Sequence, residues 1–285
     1  MKQMTTSLFP KFFQSCSADE LAELAQECGF EAVDLVVRDG YWVTPQRMAE
    51  EAPAFIRTMQ RHHVNVTFAT TGYSPEMLSE DDTPLRVMAD NGITSFRMSY
   101  FTYQAGEDLM AQMEQARMQM QRMAELCEKF GVKAVYQLHH GDRMLIQHAY
   151  EALALVNGMR SEYIGIMLDP GNQFHEGSDN WNKAIAGLGS YTAAVGVKDG
   201  AYRFRPEDAA APNKGWSKVW TPCQEGVTNW HVIVKALRKA NFGGVFNFQP
   251  FYHSASLDLL IPALKEEVRY MTKVLEQTEA ANEAV

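Results

Sequence analysis

Eight short apolar runs alternate with eight longer segments of helical periodicity along the 285 residues, and this alternation constrains the fold more than any other feature. The runs are MTTSLF, EAVDLVV, VNVTFAT, ITSFRMS, KAVYQL, YIGIML, TAAVGV and GVFNFQ. Each is almost continuously apolar or β-branched, the pattern of strands covered on both faces in a parallel sheet. The segments between them carry helix signals. Ser17 with Glu20 forms a capping box, and Thr44 before Pro45 opens a second helix. Further helices are expected near 82–91, 104–130, 145–157, 180–189, 228–240 and 256–278. Gly29, Gly92, Gly131 and Gly243 stand between a helix end and the next strand, where a left-handed residue is favoured. Eight strand–helix units in this length read as one (β/α)8 barrel of the α/β class spanning 1–285. An open doubly wound sheet would call for a glycine-rich dinucleotide fingerprint after an early strand, and none is present. Residues 203–222 read as a long loop on the seventh unit, placed to act as a lid, and 279–285 as a frayed tail.

Charge and cysteine usage exclude several functions. A net charge of −9 with no basic cluster argues against nucleic acid, and no run reaches membrane-spanning length. Cys16, Cys28, Cys127 and Cys223 are widely spaced with no CxxC pair, which suggests neither a zinc site nor a disulfide framework. The expectation is a cytoplasmic protein with a small-molecule partner, with self-association as a homo-oligomer left open.

In such a barrel the active site gathers at the C-terminal ends of the strands, so the informative residues are the polar ones that end each apolar run. They are Asp34, Arg38, Arg97, Gln137, His139, His140, Asp169, Asn172, Lys198, Asp199 and Gln249. Taken singly, each has an ordinary structural explanation: Asp169 before Pro170 and Gly171 is good turn chemistry, and Lys198-Asp199-Gly200 suits a solvated turn. Together, polar groups from six strand ends converge on one mouth. Because side chains alternate along a strand, Gln137 and His139 face the same way.

At these residues the chain resembles the xylose-isomerase-like TIM-barrel superfamily of sugar and sugar-phosphate isomerases and epimerases. The likeness runs from ADELAELAQECGFEAVDLVVRDG through HHGD, IGIMLDPGNQFHEGSDNW and YTAAVGVKDG to FGGVFNFQPF. It implies a divalent metal held by Glu, Asp, His and Glu from strands five to eight, with the two glutamates moving a proton between sugar carbons. Those positions fall here on Gln137, Asp169, Gly196 and Gln249, so only Asp169 keeps its ligand. An amide is a poor ligand for a hard cation and cannot take up a proton near neutral pH. Asp169 and His139 would be the only ligands for Mn, Mg or Zn, and no confident metal or other cofactor is expected.

The residues that remain suit a sugar or sugar derivative. His139 is the expected general base, Asp169 its orienter and Lys198 the stabiliser of an enediolate oxyanion. Gln137, His140, Asn172, Gln249, Arg97, Asp34 and Trp42 are expected to contact the substrate. The function expected is an isomerase, epimerase or related lyase with weak or absent metal dependence. The alternative is a silent carbohydrate-binding barrel or the non-catalytic partner of an active relative. A DNA-repair endonuclease, also known on this fold, lacks its metals and basic groove here.

Overall fold

The strand that begins as EAVDLVV is interrupted at its aspartate, and that interruption closes the sheet. In the computed structural model, which describes residues 4–283, the strands are β1 Thr5–Leu8, β2 Ala32–Val33, β3 Leu35–Val36, β4 Phe68–Thr70, β5 Ser95–Arg97, β6 Lys133–Gln137, β7 Ile164–Leu168, β8 Thr192–Val197, β9 Asp199–Phe204, β10 Trp216–Thr221 and β11 Val245–Phe248. Nine form one sheet in the order β2-β1-β11-β8-β7-β6-β5-β4-β3, every pairing parallel. Because β2 and β3 are the two halves of one segment, the order begins and ends on the same stretch of chain. Asp34, between the halves, donates its backbone N–H to Leu8, while Val37 donates to Thr70 on the other side. The result is a closed eight-stranded α/β barrel.

Inside, Phe68, Val135, Met167, Ala194 and Val245 form a small apolar plug. The larger core lies between the outer face of the strands and the helices. That leaves the upper interior to the polar strand ends. Ser17 caps the helix Ala18–Cys28 with the expected box, and Gly29 ends it in the left-handed conformation. Thr44 departs from expectation. Its hydroxyl and amide donate to Glu51 instead of capping, and a turn of 3-10 helix precedes the α-helix Met48–Arg61. The helix expected near 82–91 is Thr83–Asp90, and a further short helix, Pro75–Glu80, precedes it. The long helix starts at Leu109, capped by Asp108, not near 104. At the end of the helix Trp230–Lys239, Asn241 takes the positive φ expected of Gly243.

Three corrections bear on the site. Asp169-Pro170-Gly171 is the start of a helix, Pro170–Glu176, with the Asp169 carboxylate capping Asn172 N–H. The expected loop 203–222 is largely the antiparallel hairpin β9–β10. The last helix runs Leu257–Glu283, through most of the tail expected to fray, and 284–285 lie outside the described residues. No helix among the described residues is long and apolar enough to cross a membrane.

Two buried carboxyls give the fold an unusual pH response. Burial pushes Asp34 up to about 7, against hydrogen bonds from Thr70 and Asn247. Burial likewise pushes Glu267, on the last helix, up to about 7 although Tyr252 and the Cys223 amide donate to it. In the unfolded chain such carboxyls titrate near 4, so the folded state holds extra protons between about pH 4 and 7. Stability is therefore greatest at the acid end of that window and falls as pH rises through it, by on the order of 3 kcal/mol per group. Asp34→Asn and Glu267→Gln should each shrink the difference between urea denaturation curves recorded at pH 5 and pH 8.5.

Candidate active site at the barrel mouth

A cavity of about 150 Å³ opens at the C-terminal ends of the strands, lined by Phe9, Lys11, Arg38, Thr70, Arg97, Tyr100, Gln137, His139, Lys198, Gln249 and Phe251. A larger hollow of about 400 Å³ lies between residues 100–108 and the helix Leu109–Phe130, bordered mainly by amides and apolar groups. The smaller one holds the titratable groups that chemistry would need.

Its floor is a continuous hydrogen-bonded network. Lys198, where β8 passes into β9, places its ammonium 3.1 Å from Asp169 Oδ2 and donates to Asn172 Oδ1 at 2.9 Å and Gln249 Oε1 at 3.3 Å. Gln137 donates through Nε2 to Asp169 Oδ2 at 2.7 Å, while its Oε1 accepts from the Tyr100 hydroxyl at 3.1 Å. Gln249 Nε2 donates to Asn247 Oδ1, whose Nδ2 donates to Asp34 Oδ2, which also accepts from Thr70 Oγ1 at 2.6 Å. Burial lowers the Lys198 ammonium from its ordinary range, and Asp169 opposes that shift.

Two glycines make this packing possible. A Cβ on Gly171 would stand 2.7 Å from Lys198 Cγ, and one on Gly196 2.9 Å from Asp169 Oδ2. Position 196 is therefore bare because the Asp169 carboxylate leans into the space a side chain would fill.

His139 donates from Nδ1 to the His140 carbonyl at 2.9 Å. A carbonyl only accepts, so that hydrogen bond fixes the Nδ1–H tautomer and leaves Nε2 with its lone pair. Burial lowers the imidazole from its ordinary range, which keeps it unprotonated near neutral pH. His140 stacks between His139 at 4.8 Å and His175 at 5.0 Å and donates to Asn172 Oδ1 at 2.7 Å. Burial and the neighbouring His140 bring His175 down to about 4. Trp220, at the base of the hairpin, packs on His140 and His175 and lies 5.0 Å from the Lys198 ammonium. The base of the hairpin thus packs against Lys198 and the histidines behind the cavity lining.

Of the expected site residues, Gln137, His139, Lys198, Gln249 and Arg97 line the cavity. Asp169, Asn172, Asp34 and His140 stand behind that lining, holding the residues that do. Trp42 is not part of it: its indole N–H donates to the Cys16 carbonyl and its ring packs on Phe55 of the helix Met48–Arg61. Sequence reasoning missed Phe9, Lys11, Thr70 and Tyr100. Lys11, Thr70 and Tyr100 follow the strand-end rule, and a search for polar ends of the first, third and fourth apolar runs would have found them.

The sequence model of the xylose isomerase-like TIM barrel matches residues 22–274. The chain belongs to that family. Among solved structures, the xylose isomerase-like barrel resembles a D-psicose 3-epimerase from Clostridium cellulolyticum H10 determined with D-tagatose. That match has a TM-score of 0.72 and 13% identity, and covers 95% of this chain and 99% of the epimerase. A xylose isomerase-like TIM barrel protein from Mycobacterium smegmatis in complex with magnesium matches with a TM-score of 0.68, 16% identity and 98% of both chains. A probable 3-DHS dehydratase of petrobactin synthesis from Bacillus anthracis matches with a TM-score of 0.68 and 17% identity, over 94% of this chain and 99% of the dehydratase. Among curated proteins none matches the chain in sequence.

The donor set of this family member does not fit a divalent metal. No group of three His, Cys, Asp or Glu side chains comes together to hold an ion among the described residues. Asp169 is the only carboxylate among the four positions implied by family resemblance, and its Oδ2 is taken by an amide N–H and an ammonium. At Gly196, where the resemblance implies an imidazole, a side chain would have to displace the Asp169 carboxylate. The two amides now have a physical reason. A Glu at 137 would put a second carboxylate 2.7 Å from Asp169, like charges in direct contact, whereas Gln137 donates a hydrogen bond to it. The Lys198 ammonium, in contact with Asp169, Asn172 and Gln249, supplies the positive charge.

Proposed function

We propose that this barrel catalyses proton transfer on the carbon next to the carbonyl of a sugar or sugar derivative, as an isomerase, epimerase or related lyase, with Lys198 as the built-in electrophile. The observation that carries the reading is that His139, with Nε2 free, and the Lys198 ammonium face one cavity. Nε2 removes the carbon-bound proton as general base. The ammonium stabilises the oxyanion of the enediolate that forms, and does so strongly because the site is desolvated. Asp169 and Asn172 hold Lys198 in position, while Gln137, Gln249, Arg97 and the Tyr100 hydroxyl offer donors and acceptors to sugar hydroxyls.

A single base returns the proton to the face it came from. That suits a shift to the neighbouring carbon or expulsion of a β-hydroxyl, whereas epimerisation at one carbon requires a second group on the opposite face. Tyr100 and Lys198 are the candidates for that second role. The fold relatives that act on D-psicose and 3-DHS support the general class.

Deuterium wash-in from D₂O into sugars held at the site tests the proposal. Exchange at the carbon beside the carbonyl, undiminished by a chelator, is expected. Binding without exchange would instead identify a silent carbohydrate-binding barrel, the reading favoured by amides at both carboxylate positions.

A further inference from the structure

Among the described residues, four cations border the cavity and no carboxylate lines it, in a chain whose net charge is −9. Only Lys198 is ion-paired, to Asp169. None of Lys11, Arg38 and Arg97 comes within 4.0 Å of a carboxylate oxygen among the described residues. Arg97 is buried, its Nε has no hydrogen-bond partner, and its guanidinium lies 4.9 Å from the Tyr100 ring. The ammoniums of Lys11 and Lys198 stand 4.5 Å and 4.6 Å from the centroid of the same Phe251 ring. Arg38 is exposed and Lys11 half-buried, while Arg97 and Lys198 are buried, so the positive charge runs from the outer mouth to the floor. Burial and then repulsion from Arg38, Lys198 and Arg97 lower the Lys11 ammonium. Gathering unpaired cations in a partly desolvated pocket is unfavourable until an anion joins them, and such a field draws anions in.

We infer that the substrate is an anionic sugar derivative, its carboxylate or phosphate group held by Lys11 and Arg38 at the outer mouth while its carbonyl end reaches His139 and Lys198. The inference rests on the proposed function for the orientation of the carbonyl end, and on the charge distribution for the anion. It departs from the neutral ketohexose named with the Clostridium relative. Arg38 is the most exposed of the four and Lys198 the most buried, so the anion enters first past the exposed guanidinium.

Calorimetric titration with D-fructose, D-fructose 6-phosphate, 5-keto-D-gluconate and inorganic phosphate separates the cases. At least one anionic sugar should bind 10-fold or more tightly than fructose, and the preference should weaken as sodium chloride is raised. Preference for the phosphate ester, with inorganic phosphate competing, assigns a phosphate group; preference for the keto acid assigns a carboxylate. The double variant Lys11→Met/Arg38→Met should lose the preference while keeping its folded circular dichroism spectrum. Fructose binding as tightly as the anionic sugars, no anionic sugar binding, or a preference that survives the double variant would each overturn the inference. Because these titrations read affinity and not turnover, an anion preference without deuterium exchange would contradict the proposed chemistry alone.

Discussion

Replacing His139 with Gln should lower deuterium exchange into the bound sugar by about 10²–10⁴-fold, the usual cost of losing a general base, while affinity changes little. Gln has a carbonyl and an amide near where the imidazole nitrogens lie, but neither takes up a proton near neutral pH. Among the described residues no carboxylate lines the cavity to take over the role. The pH profile carries the same signature. Burial lowers the His139 imidazole from its ordinary value of 6.5, so the base form persists to more acidic pH than for a free imidazole. Exchange by the natural protein should therefore decline only below that value, and residual exchange by the variant should lack this limb. Stopped-flow or NMR exchange rates across pH 4.5–8 would show it. Equal exchange by the variant would place the base elsewhere on the lining.

Replacing Lys198 with Met should have two separable effects. The pair with Asp169 is buried, 3% and 0% exposed, and removing one partner of a buried pair costs about 3–5 kcal/mol because the other charge is left uncompensated. Unfolding by urea should show that loss, and Lys198→Met/Asp169→Asn should recover much of it by removing the stranded charge. Turnover should stay about 10²–10³-fold down in both variants, since loss of an oxyanion-stabilising donor is not repaired by neutralising Asp169. Recovery of turnover with stability would make Lys198 purely structural.

The strand ends were legible in the sequence because almost continuously apolar runs stop abruptly at Arg97, Gln137 and Gln249, and parallel strands place such stops at one mouth. What was hidden lies where local chemistry has two solutions. Asp-Pro-Gly serves equally as a turn or as the cap and first turn of a helix, and the contact of Gly171 with Lys198, 27 residues on, decides between them. The hairpin was masked by its tip, rich in proline and alanine, although AYRF and WSKVW flank it. Trp42 was expected to contact the substrate, but the Cys16 carbonyl and the Phe55 ring hold it away from the cavity lining. Gly196 read only as a lost ligand, because nothing in the sequence shows that the Asp169 carboxylate needs that space.

A tethered ammonium among Asp169, Asn172 and Gln249 leaves no coordination site for a divalent cation, and calorimetric titration of manganese chloride into the protein, dialysed first against a chelator, tests this most directly. The natural protein and its Asp169→Asn variant should give the same featureless heats. One-to-one binding by the natural protein that disappears in Asp169→Asn would contradict it, and would return the site to metal chemistry.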